Sequence, residues 1–421
     1  MRSLKQLIAR LAPSFVLSLY HVLLAFLGAL LYGFPSEKLT VIAVTGTKGK
    51  SSTIEFLNAI LEEAGYKTAL VSSIRIKLGD TSEPNTLGRS MPGRFFLQRF
   101  LSRALRADCS VAILEMTSEG ARQHRHRCIE LDALIFTNLA PEHIESHGSY
   151  ENYANAKFEI ARQLVRSNKR SRILVANGED PAGLRYLALP VERALPFSLS
   201  LVAPFHADEK GGSFTLEGLG MHIALPGEFS LKNALAAAVL ARTIGVSPGT
   251  IQSGLQKVEV IPGRVEEIRA GQDFLVVVDY AHTPDSLQAL LTSYGARRKI
   301  CVFGSAGGGR DSWKRPVMGK IAEKYCARII LTTDDPYDEN PGKIITEIAS
   351  GMKNKPEMIE DRRLAIREAL LGARVQDAVL IVGKGIDPIH GPRGATLPWN
   401  DVEVAREELT ALLKRRSAPG L

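Results

Sequence analysis

The chain has 421 residues, too many for a single hydrophobic core, so we expect two or three domains. Its composition, with 45% hydrophobic and 23% charged residues, is that of a soluble globular protein. The formal net charge of +8 fits a polyanionic partner such as a nucleotide, an anionic lipid surface or a nucleic acid, and charge alone does not choose among them.

Residues 1–36 stand apart from the rest of the chain. A basic start (Arg2, Lys5, Arg10) precedes the strongly apolar residues 11–34, and we expect an apolar N-terminal helix here. The stretch reaches the roughly 20 residues that a transmembrane helix needs. An early proline and three polar residues argue against that use: Pro13, Ser14, Ser18 and His21.

The next segment, residues 41–53, reads as an apolar strand, a glycine-containing turn and a helix, and we interpret it as a phosphate cradle of a nucleotide site. Such a cradle needs inward-facing backbone N–H groups, a lysine and a hydroxyl that can hold Mg²⁺, which Gly46, Gly49, Lys50 and Ser51 supply in order. The pattern is shorter than the common P-loop, because position 44 is a valine.

A nucleotide-using domain after the apolar segment makes a spanning helix hard to reconcile with topology. The positive-inside rule would keep the N-terminus cytoplasmic and send the domain outside, where ATP is scarce. A helix on the inner membrane face, or one packed on the protein or a partner, avoids this conflict. We expect a cytoplasmic protein, and leave open whether residues 11–34 span, lie on or avoid the membrane.

From residue 38 the pattern alternates between strands and helices, which is typical of an α/β fold with a largely parallel sheet. Two early strands end at Glu115 and Asn138, and ligands in such sheets bind beyond the carboxyl ends of strands, so both side chains should lie near the phosphate loop. Residues 190–226 suggest a small antiparallel excursion, and residues 230–244 an alanine-rich helix. A second unit begins after Arg264, with further strands at residues 274–279, 299–304, 327–332 and 378–383.

The four cysteines show no Cys-x-x-Cys spacing and sit in or beside apolar runs, so we expect buried thiols in a reducing compartment: Cys109, Cys128, Cys301 and Cys326.

Several separated stretches together resemble the Mur ligase family, and within it the UDP-N-acetylmuramoyl-tripeptide synthetases. They cover roughly residues 39–400: Gly46-Thr-Lys-Gly-Lys-Ser51, Glu115-Met-Thr-Ser-Glu-Gly-Ala-Arg-Gln-His-Arg125, Thr137-Asn-Leu-Ala-Pro-Glu-His143, His147-Gly148, Tyr153-Ala-Asn-Ala-Lys157, Gly227-Glu-Phe229 with Asn233, Pro262-Gly-Arg264, Asp279-Tyr-Ala-His-Thr-Pro284, Asp334-Asp-Pro336 and Gly383-Lys-Gly385.

The resemblance implies a central P-loop NTPase-like domain over residues 37–263 and a C-terminal Rossmann-like domain over residues 264–421. It implies an ATP-dependent ligase of peptidoglycan precursor synthesis. The terminal carboxylate of a muramoyl-peptide acceptor attacks the γ-phosphate to give an acyl phosphate, and the amine of an amino acid displaces phosphate. Mg²⁺ and in-line positioning are required, because the carboxylate and the triphosphate repel each other.

By the same resemblance, the nucleotide contacts would be the loop residues, an adenine-reading Asn233, the ribose-binding Asp279, Arg264 and His282. The loop residues are Gly46, Thr47, Lys48, Gly49, Lys50, Ser51 and Ser52.

The resemblance also implies two Mg²⁺ sites and three catalytic residues. Ser51 and Glu115 would hold the first ion, with Lys50 on the phosphoryl oxygens. His143 matches a second-site ligand and Lys157 the lysine that the family carbamylates, which turns an ammonium into a bidentate anion suited to a hard cation. Lys50, His143 and Lys157 are the catalytic candidates.

Three positions match acceptor contacts of the family: Thr117, Gln123 and Arg125. The amino-acid contacts would be Asp334, Asp335, Tyr337, Gly383 and Asp387.

The amino-acid pocket departs from that of diaminopimelate-adding enzymes. Tyr337 stands where they carry an arginine that pairs bidentately with a distal carboxylate. Because the neighbouring residues are acidic, lysine or a similar diamino acid fits better than diaminopimelate, and Asp387 would contact the amine.

A second departure concerns the acceptor. Tripeptide synthetases usually carry a UDP-binding domain before the phosphate loop, and here only the apolar segment precedes it. This makes a UDP-linked acceptor doubtful, and our hypothesis is a lipid-linked or otherwise UDP-independent muramoyl-peptide acceptor reached by membrane surface contact through residues 11–34. The sequence leaves the choice between a UDP- and a lipid-linked acceptor open.

Other functions remain as alternatives. The chain could be a ligase of the folylpolyglutamate or cyanophycin type, although residues 279–284 and 123–125 favour the tripeptide synthetases. It could also be a nucleotide-binding partner subunit without catalysis.

We expect no nucleic acid partner, because no nucleic-acid-binding module is present. His143 and His147 do not form the zinc protease motif, and His124 with His126 suggests an anion-contacting loop.

Overall fold

The structure is a computed structural model that describes residues 14–417. The basic start of the chain and residues 11–13 of the apolar segment lie outside the described residues, as do residues 418–421.

The first part of the chain contains nine helices and eleven strands within the described residues. In order they are α1 (Ser14–Leu31), β1 (Thr40–Thr45), α2 (Lys50–Glu63), β2 (Thr68–Val71), β3 (Arg75–Leu78), β4 (Thr81–Pro84), α3 (Arg94–Arg106), β5 (Val111–Glu115), α4 (Ser118–Arg122), β6 (Ala133–Phe136), α5 (Ile144–His147), α6 (Tyr150–Arg166), β7 (Ile173–Asn177), α7 (Pro181–Leu187), β8 (Arg193–Phe197), β9 (His206–Asp208), β10 (Gly211–Leu216), β11 (Leu219–Ile223), α8 (Glu228–Thr243) and α9 (Pro248–Gln256).

An eight-stranded sheet organises this part, with the strand order β4-β3-β2-β5-β1-β6-β7-β8. Strand β1 runs parallel to both β5 and β6, and Val44 is level with Glu115. Side chains alternate along β1: Ile42 and Val44 join a core under α2, α8 and α9, whereas Val41 and Ala43 join a core under α3 and α6. Both faces are therefore covered, as parallel sheets require.

The predicted antiparallel excursion is confirmed. Strands β9, β10 and β11 form a separate sheet in which both pairings are antiparallel. Its Phe214 and Met221 are buried and join the core that includes α8. The alanine-rich helix predicted over residues 230–244 is α8, which begins two residues earlier.

The second part contains, in order, β12 (Glu266–Glu267), β13 (Leu275–Asp279), α10 (Pro284–Ser293), β14 (Lys299–Phe303), α11 (Lys314–Tyr325), β15 (Arg328–Leu331), α12 (Pro341–Ala349), β16 (Glu357–Met358), α13 (Arg362–Leu371), β17 (Ala378–Val382), β18 (Ile389–His390), β19 (Thr396–Leu397) and α14 (Asp401–Ser417).

A six-stranded sheet of the order β12-β13-β17-β14-β15-β16 forms the centre of the second part. All its pairings are parallel except that of the two-residue strand β12. The predicted α/β class is thereby confirmed. We propose that domain boundaries fall where predicted, at 37–263 and 264–421, because the two large sheets lie on either side of residue 264.

Helix α1 packs along α3 through small residues. Ala25 and Ala29 are fully buried, and a side chain on Gly28 would lie 3.6 Å from the ring of Phe95. Among the helices of residues 14–417, none is long and apolar enough to cross a membrane.

The cysteine prediction is correct in part. All four cysteines are free thiols, as expected. Cys109 and Cys301 are buried, but Cys128, in the loop between α4 and β6, and Cys326, directly after α11, are partly exposed.

Candidate active site

The loop after β1 requires glycine at two places. Gly46 has φ +149°, and a Cβ there would lie 1.9 Å from Thr137 Oγ1. Gly49 has φ +79°, and a Cβ there would lie 2.2 Å from Asn233 Oδ1. Each residue is thus in close contact with a neighbouring element as well as in a conformation that favours glycine.

Asn138, which follows β6, lies next to this loop, as predicted, and its side chain is bonded to it. Its Oδ1 accepts a hydrogen bond from Lys48 N at 3.0 Å, and its Nδ2 donates to Lys48 O at 3.1 Å. Thr137 Oγ1 also donates to Lys48 O at 2.6 Å. The loop is therefore held in place by side chains at the carboxyl end of the neighbouring strand.

The N-terminus of α2 lies directly behind the loop. Its N-cap residue is Gly49, whose position supplies no capping side chain, so the first N–H groups of the helix face the cavity as an anion site. Lys50 Nζ donates to Gly46 O at 3.1 Å and Thr47 O at 3.0 Å, which keeps the ammonium over the same space.

Ser51 and Glu115 meet, as predicted. Ser51 Oγ donates to Glu115 Oε2 at 2.8 Å, and the same oxygen accepts from Ser73 N at 2.9 Å. Hydroxyl and carboxylate oxygens are ligands that Mg²⁺ prefers, and the ion is usually bound through one or two carboxylates plus phosphate oxygens and water. This pair fits one such ion. Within residues 14–417, no cluster of three or more His, Cys, Asp or Glu is arranged to hold a metal.

Lys157, on α6, is buried beneath the loop. Its Nζ donates to Gly46 O at 2.6 Å and lies 4.8 Å from the centre of the Tyr153 ring. Burial, with a smaller contribution from Lys50, holds the pKa of Lys157 well below its ordinary value, because neither carboxylate nearby is in direct contact with the ammonium. The neutral form of the Lys157 amine is therefore favoured at this position.

His143 lies at the cavity wall in the left-handed region, with φ +56°. Desolvation is the main cause that lowers its pKa to about 4, and the neighbouring Glu142 carboxylate opposes the effect in part. Its Nε2 is 3.9 Å from Glu142 Oε2. Glu142 in turn is buried and accepts a hydrogen bond from His282 Nε2 at 2.7 Å, which links the first part of the chain to the second.

The predicted nucleotide contacts converge on the same cavity. Asn233, Arg264, Asp279 and His282 all line it. The guanidinium of Arg264 lies 4.2 Å from the centre of the Tyr280 ring. Both oxygens of Asp279 accept backbone N–H groups, from Val265 and Ala281 at 2.8 Å each, so this carboxylate also organises its own turn.

One cavity of about 1460 Å³ contains these groups. Ligand pockets for a single small molecule usually measure about 300–1,000 Å³, so this volume suits more than one ligand at a time. Its walls come from both parts of the chain, and loop residues 47–52 lie on its floor together with Ser73 and Glu115.

The three predicted acceptor residues line one end of the cavity. Thr117 caps α4 by accepting from Gly120 N at 3.1 Å, and Gln123 Oε1 accepts from Arg125 Nη2 at 2.8 Å. Arg125 also donates to Met91 O, which fixes the direction of its guanidinium. The guanidinium is thus fixed in place before any ligand binds.

The expectation that both His124 and His126 belong to an anion-contacting loop is wrong for His126. That ring is fully buried, and burial lowers its pKa to about 3, so it is neutral. The neighbouring His124 Nε2 instead lies 2.8 Å from Ser18 Oγ of α1.

The predicted amino-acid residues divide into two groups. Asp387 is among the residues that line the cavity, whereas Asp334, Asp335, Tyr337 and Gly383 are not, although the Tyr337 hydroxyl is bonded to the lining residue Arg310. Close packing explains the glycine, because a Cβ at position 383 would lie 2.6 Å from Asp334 Oδ2.

The acidic character expected around Tyr337 does not hold, because cations compensate it. Asp335 accepts from the buried Lys384 Nζ at 2.7 Å. Glu339 pairs with Arg315 at 3.0 Å. The charge argument against a distal carboxylate is therefore weaker than the sequence suggests.

Comparison with known proteins decides the family. The Mur ligase middle domain matches residues 44–241, and the domain described as "Mur ligase, glutamate ligase domain" matches residues 263–385. The chain belongs to the Mur ligase family. As a Mur ligase it is an ATP-dependent acid–amino-acid ligase of peptidoglycan synthesis, and enzymes of the family depend on ATP and Mg²⁺.

Individual relatives agree with the family assignment. The chain is 37% identical to the UDP-N-acetylmuramoyl-L-alanyl-D-glutamate–2,6-diaminopimelate ligase of Syntrophomonas wolfei, covering 93% of this chain and 82% of the relative. It is 35% identical to the UDP-N-acetylmuramyl-tripeptide synthetase of a Roseiflexus species, with the same coverage of both chains.

Solved structures show the same fold. A UDP-N-acetylmuramoyl-L-alanyl-D-glutamate–2,6-diaminopimelate ligase matches with a TM-score of 0.60 and 28% identity, over 89% of this chain and 79% of that one. The Mycobacterium tuberculosis folylpolyglutamate synthase gives a TM-score of 0.69 at 18% identity, over 87% of this chain and 92% of that one. The latter likeness concerns the fold alone.

In this Mur ligase the sequence analysis missed Arg310. It follows three glycines after β14, lines the cavity, and donates to Tyr337 Oη at 2.7 Å. Tyr337 also stacks on His390, with ring centres 5.4 Å apart. A cation after a glycine-rich strand end was the signal that could have identified it.

Proposed function

We propose that this Mur ligase joins an amino acid to the terminal carboxylate of a muramoyl-peptide acceptor through an acyl phosphate. One observation carries the proposal: a phosphate loop with an adjoining Ser51–Glu115 pair opens into one cavity of about 1460 Å³ that also contains the Arg125 and Arg310 guanidiniums. ATP needs a phosphate-binding loop, and the acceptor carboxylate and the amino acid each need a cation such as one of these guanidiniums.

In this proposal the loop N–H groups and Lys50 bind the β- and γ-phosphates of ATP. Ser51 and Glu115 would hold Mg²⁺, which supplies positive charge that offsets the repulsion between carboxylate and triphosphate. Asn233 would contact adenine and Asp279 the ribose. Their side chains need no large movement, because they already line the cavity.

Lys157 is the candidate for carbamylation. Carbon dioxide reacts with a neutral amine, forming an N–C bond and releasing a proton, and burial favours the neutral form of this lysine. The resulting carbamate would place an anion beneath Gly46 and near His143. Together these two side chains would form a second Mg²⁺ site, which the uncarbamylated ammonium cannot provide.

We propose that the acceptor binds at the end formed by Thr117, Gln123 and Arg125, with Arg125 directed at a carboxylate of the peptide. The relatives named above act on UDP-linked muramoyl peptides, as their names state. The acceptor here would be the same UDP-linked compound or its lipid-linked equivalent, used in the cytoplasm.

For the amino acid, Arg310 would bind the α-carboxylate and Asp387 the amine. Tyr337 is uncharged and cannot form an ion pair with a second carboxylate. We therefore favour lysine, while the names of several relatives favour diaminopimelate.

Phosphate release from ATP with Mg²⁺ tests the proposal, with lysine or meso-diaminopimelate offered against UDP-linked and lipid-linked muramoyl-dipeptides. We expect release that requires one acceptor and one amino acid, and a ligated product detected by mass. A Lys50→Met variant is the control for ATP use. Tight ATP binding without release for any pair would instead favour a non-catalytic partner subunit.

A further inference from the structure

Helix α1 exposes an unusually apolar face. Nine large hydrophobic side chains are exposed on it: Phe15, Val16, Leu19, Tyr20, Leu23, Phe26, Leu27, Leu30 and Leu31. At about 100° per residue they all fall within roughly 160° of the helix circumference. Leu19 and Leu31 are each 68% exposed, so these side chains are not merely at the edge of a core.

The opposite face of α1 is firmly attached to the protein. Ala25 and Ala29 are fully buried there, Gly28 lies against Phe95, and Ser18 Oγ lies 2.8 Å from His124 Nε2. The exposed face therefore cannot turn inward without breaking these contacts, and it stays available for a partner.

A row of cations lies on α3, the helix against which α1 packs. Helix α3 contains Phe95 and, after it, Arg99, Arg103 and Arg106. The three arginines are exposed and lie on one side of the helix, at intervals of four and three residues. Across the described part of the chain, none of the three forms an ion pair with a carboxylate.

The two helices themselves contain no acidic residue. Residues 1–36 contain three basic residues and no aspartate or glutamate, and residues 86–107 contain five arginines and no acidic residue. Apolar side chains beside uncompensated cations match the boundary between anionic headgroups and acyl chains. In a two-fold dimer through α1, the arginine rows at the rim of the interface would instead add like-charge repulsion.

We propose that the exposed face of α1 and the arginine row of α3 form a docking surface for a bilayer that contains anionic lipid. The helix lies in the plane of the interface, the apolar side chains enter the headgroup boundary, and Arg99, Arg103 and Arg106 contact lipid phosphates. This proposal does not depend on the ligase chemistry.

The surface adjoins the acceptor end of the cavity. Ser18 of α1 contacts His124, and Arg94 of α3 donates to Gln123 O. A bound membrane would thus lie next to the loop that carries Gln123 and Arg125, and an acceptor anchored in that membrane would approach the cavity at this end.

Vesicle flotation with the full-length protein tests the proposal, using phosphatidylcholine vesicles with and without phosphatidylglycerol. We expect binding that requires phosphatidylglycerol and weakens with added salt. Arg99→Glu with Arg103→Glu should weaken binding more than about tenfold, because each cation near an anionic surface contributes about fivefold. Leu19→Glu with Leu23→Glu should abolish it.

A matched control is Leu184→Glu with Leu201→Glu, which changes two equally exposed leucines elsewhere and should leave flotation unchanged. Far-ultraviolet circular dichroism and ATP binding establish that each variant is folded. Equal binding to neutral and anionic vesicles, or no binding to either, would overturn the proposal. A dimer in light scattering that Leu19→Glu with Leu23→Glu disrupts, without vesicle binding, would overturn it and assign the face to a second copy.

Discussion

His282 and Glu142 join the two parts of the chain through a hydrogen bond of 2.7 Å between Nε2 and Oε1. Glu142 directly precedes the cavity residue His143, and His282 follows the turn that Asp279 organises. A second contact between the two parts is the hydrogen bond of 3.1 Å that Glu145 Oε1 accepts from Ser312 N. We therefore expect the position of His143 to be coupled to the contacts that join the two parts.

We expect His282→Ala to reduce turnover by about 10- to 100-fold. It leaves the buried Glu142 carboxylate without its partner, which costs about 1–3 kcal/mol, and tenfold in rate corresponds to about 1.4 kcal/mol. Steady-state phosphate release measures the change. Asp285→Asn is the control, because its bridge to Lys48 is mostly exposed and should contribute under about 1 kcal/mol. Equal losses in both variants would contradict the coupling.

The contribution of the Glu142–His282 contact to the free energy of unfolding should be visible at acidic pH. The contact with His282 holds the pKa of this carboxyl well below its ordinary value of 4.5, so it stabilises the fold above pH 4.5 and ceases to do so as the pH falls through the lowered pKa. Urea unfolding from pH 6 down to pH 3 measures this. Glu142→Gln should flatten that part of the profile, and an unchanged acid profile would contradict the assignment.

Gly49→Ala should abolish ATP binding. The substitution strains a φ of +79° by about 1–2 kcal/mol and also places a Cβ 2.2 Å from Asn233 Oδ1. Gly65→Ala is a matched control, because φ is +85° there but nothing lies within 4 Å of the new Cβ. Both variants lose the stability that the positive φ costs, but only Gly49→Ala also changes the phosphate loop, so calorimetric titration with ATP should separate the two. Normal binding by Gly49→Ala would be inconsistent with the described loop.

Lys157→Met should abolish ligation and leave the fold at least as stable. Burial lowers the pKa of Lys157, so the unfolded chain binds more protons here than the folded one, and the wild type should gain stability relative to the variant as the pH rises toward 10.5. Unfolding of both proteins at neutral and alkaline pH checks the sign. In the wild type, ¹³C-bicarbonate should give a carbamate signal that the variant lacks.

Tyr337→Arg should shift the amino-acid preference from lysine toward meso-diaminopimelate by about 10- to 100-fold in kcat/KM, because a guanidinium can bind a distal carboxylate bidentately. Tyr337→Phe is the control, which removes the hydroxyl bonded to Arg310 without adding charge. Competition between the two amino acids, read by product mass, measures the ratio. If wild-type protein already prefers diaminopimelate, the role assigned to Tyr337 is incorrect.

Residues 40–53 and the strand ends at Glu115 and Asn138 were predictable, because local patterns specify parallel strands and all such strands end at one edge of the sheet. That rule was enough to place Glu115 and Asn138 beside the phosphate loop, where the structure shows them bonded to Ser51 and Lys48. Local apolar periodicity likewise placed the four strands predicted at residues 274–279, 299–304, 327–332 and 378–383 to within one residue at each end.

The amino-acid sequence by itself determined the α/β class, the phosphate loop and the family, since these depend on short-range pattern and residue type. Only the tertiary structure decided which charges cancel and which side chains are buried: Lys384 neutralises Asp335, His126 is enclosed, and Glu142 meets His282 across 140 residues. It also decided that α1 packs through one face and exposes the other. Such features depend on contacts between distant segments, which hydrophobic periodicity does not encode.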